Sequence, residues 1–384
     1  MDRSSTPSAS ALRDQDHPAT KIIWLINDLD RGGAQQGLVT LARIGAFEGV
    51  DLTVVSLIRG SGAFIQDLEQ CGVRVTAIHE AGRMEAGHLV SGAWRLWRLL
   101  GQVRPAALFL SLPQVNIIGR IIGRLGGVPT IASFEHNTHL ARPAYELACR
   151  LTSPMVDWTL ADCDATAEEA TRRLYARAAP RRTVVPLVSF PVQPAPAARE
   201  PASGRPFVIV NAGRLTSIKN QAALIHAVRH LRDRGSDVTL RLFGEGRERQ
   251  ACETLVASLG LQDRVEFMGH VTGWWTQEAD LFVLSSLHEG LCIALLEAMA
   301  AGIPAVAPLV GGVRDYGADG ALEILEDVRP RTIADAIERL IAMPGRRREL
   351  SKGGQAVISE RFGADAMGRR HRAFAAELRA LPCR

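Results

Sequence analysis

The stretch Asp280–Val313 reads DLFVLSSLHEGLCIALLEAMAAGIPAVAPLVGGV and is the most informative part of this 384-residue chain. Its pattern predicts a buried strand at Leu281–Leu284, a short loop, a helix over about Ile293–Ala301 and a second strand at Ala305–Ala307. Strand and helix patterns alternate along most of the remaining chain as well. This alternation favours parallel, doubly wound sheets, so the sequence predicts an α/β fold.

Two carboxylates, Glu289 and Glu297, lie within this otherwise apolar run. On one continuous helix they would be about 12 Å apart, but a loop between them can fold Glu289 back over the helix start. The backbone N–H groups at a helix start attract phosphate. A phosphate with an acceptor for hydroxyl groups on either side indicates a sugar nucleotide as the ligand.

The same residues resemble the E-x7-E signature of glycosyltransferase family 4. The chain has Glu289-Gly290, then EAMAAGIP from Glu297, then Gly311-Gly312. The resemblance covers nearly everything after about Lys21. It implies a retaining enzyme that uses nucleotide-diphosphate sugars and has the GT-B fold, in which two Rossmann-like, doubly wound domains face a central cleft. The alternative, a pair of carboxylates on a solvated helix, does not explain their apolar neighbours.

A proline-rich segment separates two series of strand and helix patterns. The predicted strands are Lys21–Ile26, Leu52–Leu57, Val73–Ile78, Ala107–Leu110, Thr130–Ser133 and Trp158–Ala161, then Phe207–Asn211, Val238–Phe243, Val265–Met268, Leu281–Leu284 and Ala305–Ala307. The predicted parts are a disordered tail at 1–20, an acceptor-binding domain at 21–185, a linker at 186–206, a nucleotide-sugar-binding domain at 207–364 and a C-terminal helix at 365–384, which we expect to cross back to the first domain. Ligands are expected in the cleft between the two domains.

The second domain opens with NAGRLTSIKN, which places Arg214 and Lys219 after a predicted strand and a glycine turn. A leaving nucleotide diphosphate gains negative charge as the glycosidic bond breaks, so cations here would stabilise the transition state. The resemblance implies that both residues bind the diphosphate. A solvated helix start is the alternative for this pair taken alone.

Glycine turns after later strands complete the predicted donor pocket. The turn Gly244-Glu245-Gly246 lacks the third glycine of a dinucleotide fingerprint, because Arg249 stands there. Without the resemblance, these segments would be interpreted as ordinary strand-to-helix turns. With it, the residues predicted to bind the nucleotide sugar are Gly32, Gly33, Gly213, Arg214, Lys219, Gly244, Glu245, His270, Val271, Glu289, Gly290, Leu291, Cys292, Ile293, Ala294 and Glu297.

In the first domain, Gly32-Gly33 precedes a helix and can approach a diphosphate across the cleft. Gln35 stands where the family usually has Glu. His136 follows a predicted strand, and the resemblance implies that it faces the donor sugar. The predicted catalytic residues are thus Glu289, His136, Arg214 and Lys219, and Glu135 is a further candidate. Another departure is Cys292, where many relatives have glycine beside the sugar.

Three D-x-D patterns raise the question of a divalent metal: Asp14/Asp16, Asp28/Asp30 and Asp162/Asp164. The first lies in the tail, the second in the cleft loop and the third at a helix start, where we expect an N-cap. Because Arg214 and Lys219 can neutralise the diphosphate, we expect no metal and no cofactor.

The net charge of +4, from 45 basic and 41 acidic residues, does not favour nucleic acid as a partner. The six cysteines form no CxxC pair, which suits a reducing cytoplasm. Arginines lie near Trp94 and Trp97 and would suit a peripheral contact with the inner face of the cytoplasmic membrane. A solvated face with two core tryptophans is the alternative, and composition favours it.

The function predicted from the sequence is hexosyl transfer with retention. The donor is a nucleotide-diphosphate sugar, with UDP favoured over GDP, and the acceptor a glycan or lipid-linked glycan of a cell-surface polysaccharide. Two alternatives remain open: a sugar-nucleotide epimerase or phosphorylase of similar fold, and a non-catalytic partner that binds nucleotide sugars.

Overall fold

A computed structural model describes residues 19–30, 32–80, 86–136, 143–177, 179, 181–190, 204–317 and 320–382, with the side chains of 86–90 excepted. Residues 1–18 of the tail predicted at 1–20, Arg31, Asn137 and residues 191–203 of the linker predicted at 186–206 lie outside this set, whereas Thr20 already belongs to the first strand. Within it, no helix is both long enough and apolar enough to cross a membrane.

The first sheet has seven described strands, all parallel, in the order β3-β2-β1-β4-β5-β6-β7. The strands are β1 Thr20–Ile26, β2 Val50–Ile58, β3 Arg74–His79, β4 Ala107–Ser111, β5 Thr130–Glu135, β6 Trp158–Ala161 and β7 Arg181–Val184. The helices are α1 Gly33–Arg43, α2 Ile65–Gln70, α3 Ala86–Val103, α4 Pro113–Leu125, α5 Pro143–Thr152 and α6 Asp164–Leu174, with a 3₁₀ turn at Ser153–Met155.

The second sheet has six described strands, also parallel, in the order β10-β9-β8-β11-β12-β13. The strands are β8 Phe207–Ala212, β9 Val238–Phe243, β10 Val265–Gly269, β11 Leu281–Val283, β12 Ala305–Pro308 and β13 Glu323–Leu325. The helices are α7 Gln221–Asp233, α8 Arg249–Ser258, α9 Ile293–Ala300, α10 Val313–Tyr316, α11 Pro330–Ala342, α12 Pro344–Val357 and α13 Ala364–Arg379, with a 3₁₀ turn at Trp274–Thr276 and a π-helical turn at Ile358–Phe362.

The two doubly wound sheets confirm the predicted α/β fold. Central strands such as β4 and β8 are buried along their whole length, as expected for parallel strands covered on both faces. The sequence analysis missed β7 and β13. Both lie at sheet edges: β7, RRTV, has a single apolar residue, and β13, EIL, is only three residues long.

The last helix, α13, packs on the first domain. Phe374 lies 5.8 Å from the ring of Trp158 and 6.4 Å from that of Phe109. Glu377 forms an ion pair with Arg181 at 3.0 Å. The chain thus returns to the first sheet after building the second, so both domains are joined by more than one segment.

Helix α3 departs from the favoured expectation for its tryptophans. Trp94 and Trp97 are 58% and 48% exposed, so they are not core residues. Arg98 lies over the ring of Trp94 at 5.7 Å. Arg120 of α4, by contrast, is fully buried and pairs with Glu135 inside the domain.

Candidate active site

An ion pair between two loops of the second domain lies at the centre of the candidate site. The Nζ atom of Lys219 donates to Oε1 of Glu289 at 2.7 Å and to Oε2 at 2.6 Å. The side chain of Glu289 is 5% exposed and that of Lys219 is 27% exposed. The structure therefore brings together two residues that stand far apart in the sequence and were assigned to one pocket.

Further hydrogen bonds hold these two loops against each other. The hydroxyl of Ser285 donates to the backbone carbonyl of Lys219 at 2.9 Å. The N–H of Leu287 donates to the carbonyl of Ile218 at 2.8 Å. Because the backbone is fixed on both sides, the ion pair has a defined position at the carboxyl ends of β8 and β11.

The glycine pair that follows β12 supports the Glu289 loop from behind. The N–H of Gly312 donates to the carbonyl of Gly290 at 2.8 Å. Gly311 has a φ of +51°, and a Cβ there would overlap the carbonyl oxygen of Glu289. The double glycine is thus required by a close backbone approach to the site.

Helix α9 begins beside this loop, at a residue with left-handed backbone. Cys292 has a φ of 59°, a conformation that glycine adopts without strain. This explains why a glycine would suit the position that Cys292 occupies here. Ile293 and Ala294 are half-buried, and the next two N–H groups, of Leu295 and Leu296, bond to the carbonyl of Cys292.

The Gly32-Gly33 loop of the first domain faces the start of α9. A Cβ on Gly33 would lie 4.0 Å from Cδ1 of Ile293. Gln35, the departure from the family, donates to Oδ1 of Asp28 at 3.0 Å and so holds the loop to the end of β1. The loop is close enough to α9 to share a ligand bound at that helix start.

Gly213 and Gly244 form two turns that pack against each other, and Gly213 lies beside the Lys219 side chain. The N–H of Gly244 donates to the carbonyl of Gly269 at 2.7 Å, and a Cβ on Gly244 would overlap the carbonyl oxygen of Gly213. Arg214 is exposed and forms no ion pair with any described residue. The positive charge of Arg214 contributes a lowering of the pKa of Lys219.

Glu297 has a partner that the sequence analysis missed. The indole Nε1 of Trp274 donates to Oε2 of Glu297 at 2.9 Å. Burial raises the pKa of Glu297 to about 7, and the hydrogen bond from Trp274 opposes that rise. The available signal was Trp274 itself, because a buried indole usually needs an acceptor.

His136 lies where the two domains touch. Its ring stacks on Phe134 at 4.4 Å, its Nε2 is 3.4 Å from the hydroxyl of Ser111, and its Nδ1 is 4.0 Å from Oδ2 of Asp162. Burial lowers the pKa of His136 to about 3, so the ring is neutral at pH 7. A Cβ on Gly290 would overlap the His136 carbonyl oxygen, which shows how closely the histidine approaches the Glu289 loop.

Glu135 does not face the cleft, which corrects its place among the candidates. Its Oε1 accepts from Arg120 at 3.1 Å and from the hydroxyl of Tyr175 at 2.9 Å, and Asn116 lies 3.3 Å from both oxygens. These hydrogen bonds occupy the carboxylate of Glu135 inside the first domain. Glu135 stabilises the end of β5, from which His136 follows.

Of the remaining predicted residues, Leu291 is buried, whereas Glu245, His270 and Val271 are more exposed and form the rim. His270 and Glu245 are exposed, and Glu245 pairs with Arg249 at 2.5 Å. Val271 is half-buried. Leu291 is buried, and its carbonyl accepts from the hydroxyl of Tyr316 at 2.9 Å.

The D-x-D pairs have other partners where the structure describes them. Asp28 accepts from the N–H of Asp30, and Cys163, rather than an aspartate, is the N-cap residue of α6. Asp162 is buried beside His136, and burial raises its pKa to about 7. No cluster of three or more potential metal ligands occurs among the described residues. Independence from metal remains a prediction.

Comparison with known proteins assigns both halves of the chain. Residues 32–188 match the Glycosyl transferase 4-like domain, and residues 195–357 match the Glycosyl transferases group 1 model. The chain belongs to the GT-B glycosyltransferases of family 4. The first match covers β2 to β7 and the second covers β8 to β13, so each domain model falls on one of the two sheets.

Curated relatives of this glycosyltransferase include a lipopolysaccharide core biosynthesis enzyme and a kanosaminyltransferase. It is 36% identical over 171 residues to the lipopolysaccharide core biosynthesis glycosyltransferase LpsD of Rhizobium meliloti (strain 1021), covering 42% of this chain and 47% of LpsD. It is 27% identical over 276 residues to the alpha-D-kanosaminyltransferase of Streptomyces kanamyceticus, covering 65% of this chain and 70% of that protein. The glycosyltransferase thus spans about half the length of LpsD.

Solved structures agree in fold. HepE of Anabaena, crystallised in complex with UDP-glucose, has a TM-score of 0.76 at 19% identity and covers 93% of the glycosyltransferase and 99% of HepE. The sucrose-phosphate synthase of Thermosynechococcus elongatus has a TM-score of 0.78 at 17% identity, covering 94% and 100%. At these identities the likeness supports the two-domain fold alone.

Proposed function

We propose that this glycosyltransferase transfers a hexosyl group from a UDP-sugar to a glycan or lipid-linked acceptor, with retention at the anomeric carbon. The observation that carries the proposal is the Lys219–Glu289 ion pair between two loops that end parallel strands. Such a pair places a cation that can bind a diphosphate in direct contact with a carboxylate that can accept a hydrogen bond from a sugar hydroxyl. It lies where the Gly32-Gly33 loop of the other domain approaches α9.

In this proposal, the diphosphate is held by Arg214, Lys219 and the N–H groups at the start of α9. Lys219 is held in place by Glu289 before the bond breaks, so it can stabilise the charge that develops on the leaving group with little reorganisation, and Arg214 adds an exposed positive charge nearby. Glu297 accepts from the ribose hydroxyls. The rim residues His270 and Val271 would approach the base.

Glu289 is proposed to accept from a hydroxyl of the donor sugar and to orient it. Both of its oxygens already accept from Lys219, which makes the carboxylate a poor nucleophile. We therefore favour attack by the acceptor on the face that the diphosphate leaves. The acceptor oxygen would pass its proton to the departing phosphate, so the anomeric configuration is retained without a covalent intermediate on the protein.

The proposed donor and acceptor rest on similar proteins. HepE has been crystallised with UDP and with UDP-glucose. LpsD and LpsE of Rhizobium meliloti are named for lipopolysaccharide core biosynthesis. A UDP-hexose and a lipid-linked or lipopolysaccharide-type acceptor are therefore the first reagents to test.

Product analysis tests the proposal. The full chain is incubated with UDP-glucose, UDP-galactose, UDP-N-acetylglucosamine or GDP-mannose and a membrane extract. Free nucleoside diphosphate together with an α-linked product is the expected result. An epimerised sugar nucleotide without free UDP, or turnover that requires inorganic phosphate and yields a sugar 1-phosphate, would support the alternative enzyme classes. Ligand binding with no turnover would support a non-catalytic partner.

The same assay in chelator tests the proposed independence from metal. Arg214 and Lys219 supply the charge that a divalent ion provides at other sites, so we expect activity to persist. Complete loss in chelator, with recovery on adding magnesium or manganese, would contradict this part of the proposal.

We also propose that helices α3, α4 and α5 contact an anionic membrane surface. Helix α4 contacts both of its neighbours. The three helices expose large apolar side chains: Trp94, Trp97, Ile121, Leu125, Leu147 and Leu151. Exposed arginines, including Arg95 and Arg98, lie among them. Exposed tryptophan beside arginine suits the boundary between headgroups and acyl chains, where a lipid-linked acceptor would be found.

A further inference from the structure

Trp274 holds Glu297 by a hydrogen bond from its indole. Trp274 lies in the 3₁₀ turn after β10 and is 6% exposed. Its ring packs against Phe243 at 5.8 Å and Phe282 at 5.5 Å, and Trp275 meets it edge-on at 6.1 Å. The indole is therefore held rigidly from several sides.

The hydrogen bond from this indole leaves one carboxylate oxygen of Glu297 available. Nε1 of Trp274 donates to Oε2 at 2.9 Å, whereas Oε1 has no hydrogen-bond partner among the described residues. No described cation forms an ion pair with Glu297. The indole is thus the group that sets which way the carboxylate faces.

Burial works against Glu297 as an acceptor. It raises the pKa of the carboxyl to about 7, so the acidic form is well populated near neutral pH. The Trp274 hydrogen bond favours the ionised form, because an N–H donor stabilises a carboxylate more than a carboxylic acid. The same contact therefore fixes both the direction and the ionisation of the side chain.

We propose that Trp274 is a positioning residue for recognition of the nucleotide ribose, holding Glu297 so that Oε1 accepts from a ribose hydroxyl. The inference rests on the proposed function, which assigns the ribose contact to Glu297. It adds a specificity determinant: discrimination between ribose and deoxyribose in the donor depends on an indole that does not itself touch the sugar.

A simple packing role for Trp274 makes different predictions. If the indole only filled the core, its loss would weaken the binding of every nucleotide equally, and this effect would not depend on Glu297. If the indole acts through Glu297, its loss weakens the binding only of ligands that carry ribose hydroxyls. Loss of the indole then has no further effect in a variant that already lacks the Glu297 carboxylate.

The test is calorimetric titration of the full chain with UDP and with 2′,3′-dideoxy-UDP. Trp274→Phe keeps an aromatic ring and removes the donor, and Trp275→Phe is the matched control on the neighbouring residue. We expect Trp274→Phe to weaken UDP about tenfold, the scale of one hydrogen bond to a charged group, and to leave dideoxy-UDP unchanged. Trp275→Phe should change neither ligand.

A double-mutant cycle, combined with thermal unfolding, distinguishes an effect through Glu297 from a folding defect. In the Glu297→Ala background, Trp274→Phe should not weaken UDP further, and thermal unfolding of each variant shows whether the fold is kept. Equal weakening of both ligands, or an undiminished effect in the Glu297→Ala background, would overturn the inference and leave a packing role. If the wild type binds neither UDP nor GDP, the proposed function itself fails, and the inference fails with it.

Discussion

Lys219 and Glu289 form a two-pronged ion pair, with Nζ 2.7 Å from one carboxylate oxygen and 2.6 Å from the other. Burial of Lys219 opposes its charge, but the Glu289 carboxylate more than offsets this and raises the pKa of the lysine overall. A donor that binds here must replace part of this contact by phosphate on one side and by a sugar hydroxyl on the other.

The first prediction concerns the two members of this pair. Lys219→Ala removes a fixed cation from the leaving group, and Glu289→Gln removes an ionised acceptor from the donor sugar. Each should lower kcat at least about 10²-fold, the scale for losing one preorganised contact. Steady-state transfer from the best UDP-sugar measures the effect. Arg247→Ala, which removes an exposed cation from the same domain, is the control.

Stability measurements separate chemistry from folding in these variants. Lys219→Ala leaves a buried carboxylate without its cation, so some loss of unfolding free energy is expected. Glu289→Gln keeps the shape of the side chain but leaves Lys219, which is 27% exposed, without its counter-charge, so a smaller loss of unfolding free energy is expected. Near-normal turnover in both variants would rule out the assigned roles, whatever their stability.

The second prediction concerns the glycine that supports the Glu289 loop. Gly311→Ala places a Cβ on the Glu289 carbonyl oxygen at a φ of +51°, so the loop must move. We expect a loss of kcat of about tenfold or more, because small displacements of positioned groups are costly. Gly101→Ala in α3 is the matched control, since nothing lies within 4 Å of its Cβ. It should keep full activity; equal losses in both variants would contradict the assigned role of Gly311.

The third prediction is a pH dependence of donor binding. Burial raises the pKa of Glu297 from 4.5 to about 7, and only the ionised form can accept from ribose without a competing proton. The kcat/KM for the donor should therefore rise as the pH increases through about 7. Glu297→Gln should flatten this rise. Asp162→Asn should keep it, although burial also raises the pKa of Asp162 to about 7.

Stability should change with pH in the opposite sense. A carboxyl whose pKa is raised in the folded state contributes stability that is fully present below its unfolded pKa and is lost as the pH rises through the folded pKa. For Glu297 this window runs from 4.5 to about 7. Thermal unfolding of the wild type and Glu297→Gln across this range measures it. A wild-type profile that matches Glu297→Gln at every pH would contradict the raised pKa.

Much of the fold could be predicted because buried parallel strands appear in the sequence as runs of apolar residues. Strand β4, Ala107–Ser111, is fully buried and was found within one residue of its end. The edge strand β7 was missed, since an edge faces solvent and need not be apolar. Hydrophobic patterning thus predicts the central strands of each sheet and the edge strands β3 and β10, but not the edge strands β7 and β13.

The candidate site was only partly predictable. Family resemblance grouped Lys219 with Glu289, but their direct contact depends on the order of β8 and β11, which no local pattern encodes. The indole contact to Glu297 was missed for the same reason. Trp94 was expected in the core because tryptophan usually is buried; its 58% exposure depends on which face of α3 meets the sheet.

The fourth prediction concerns the exposed tryptophans of α3. Trp94 and Trp97 lie three residues apart, so they share one helix face, and Arg98 stands beside them. Replacing both by serine should remove most binding to vesicles that contain anionic lipid, measured by cosedimentation, because two large interfacial anchors are lost. Thermal unfolding should change little, since the two side chains are 58% and 48% exposed.

The control variant and the salt dependence distinguish binding to an anionic lipid surface from non-specific hydrophobic adsorption. Met343→Ser removes a 51% exposed apolar side chain from the second domain and should leave vesicle binding unchanged. Binding should fall as salt rises, because the arginines act through a screened attraction to anionic headgroups. Binding that is equal on neutral and anionic vesicles, or that survives the loss of both tryptophans, would contradict a membrane-facing role for α3. Transfer to a soluble acceptor should be the same with or without the tryptophans, because neither lies near Lys219 or Glu289 in the other domain.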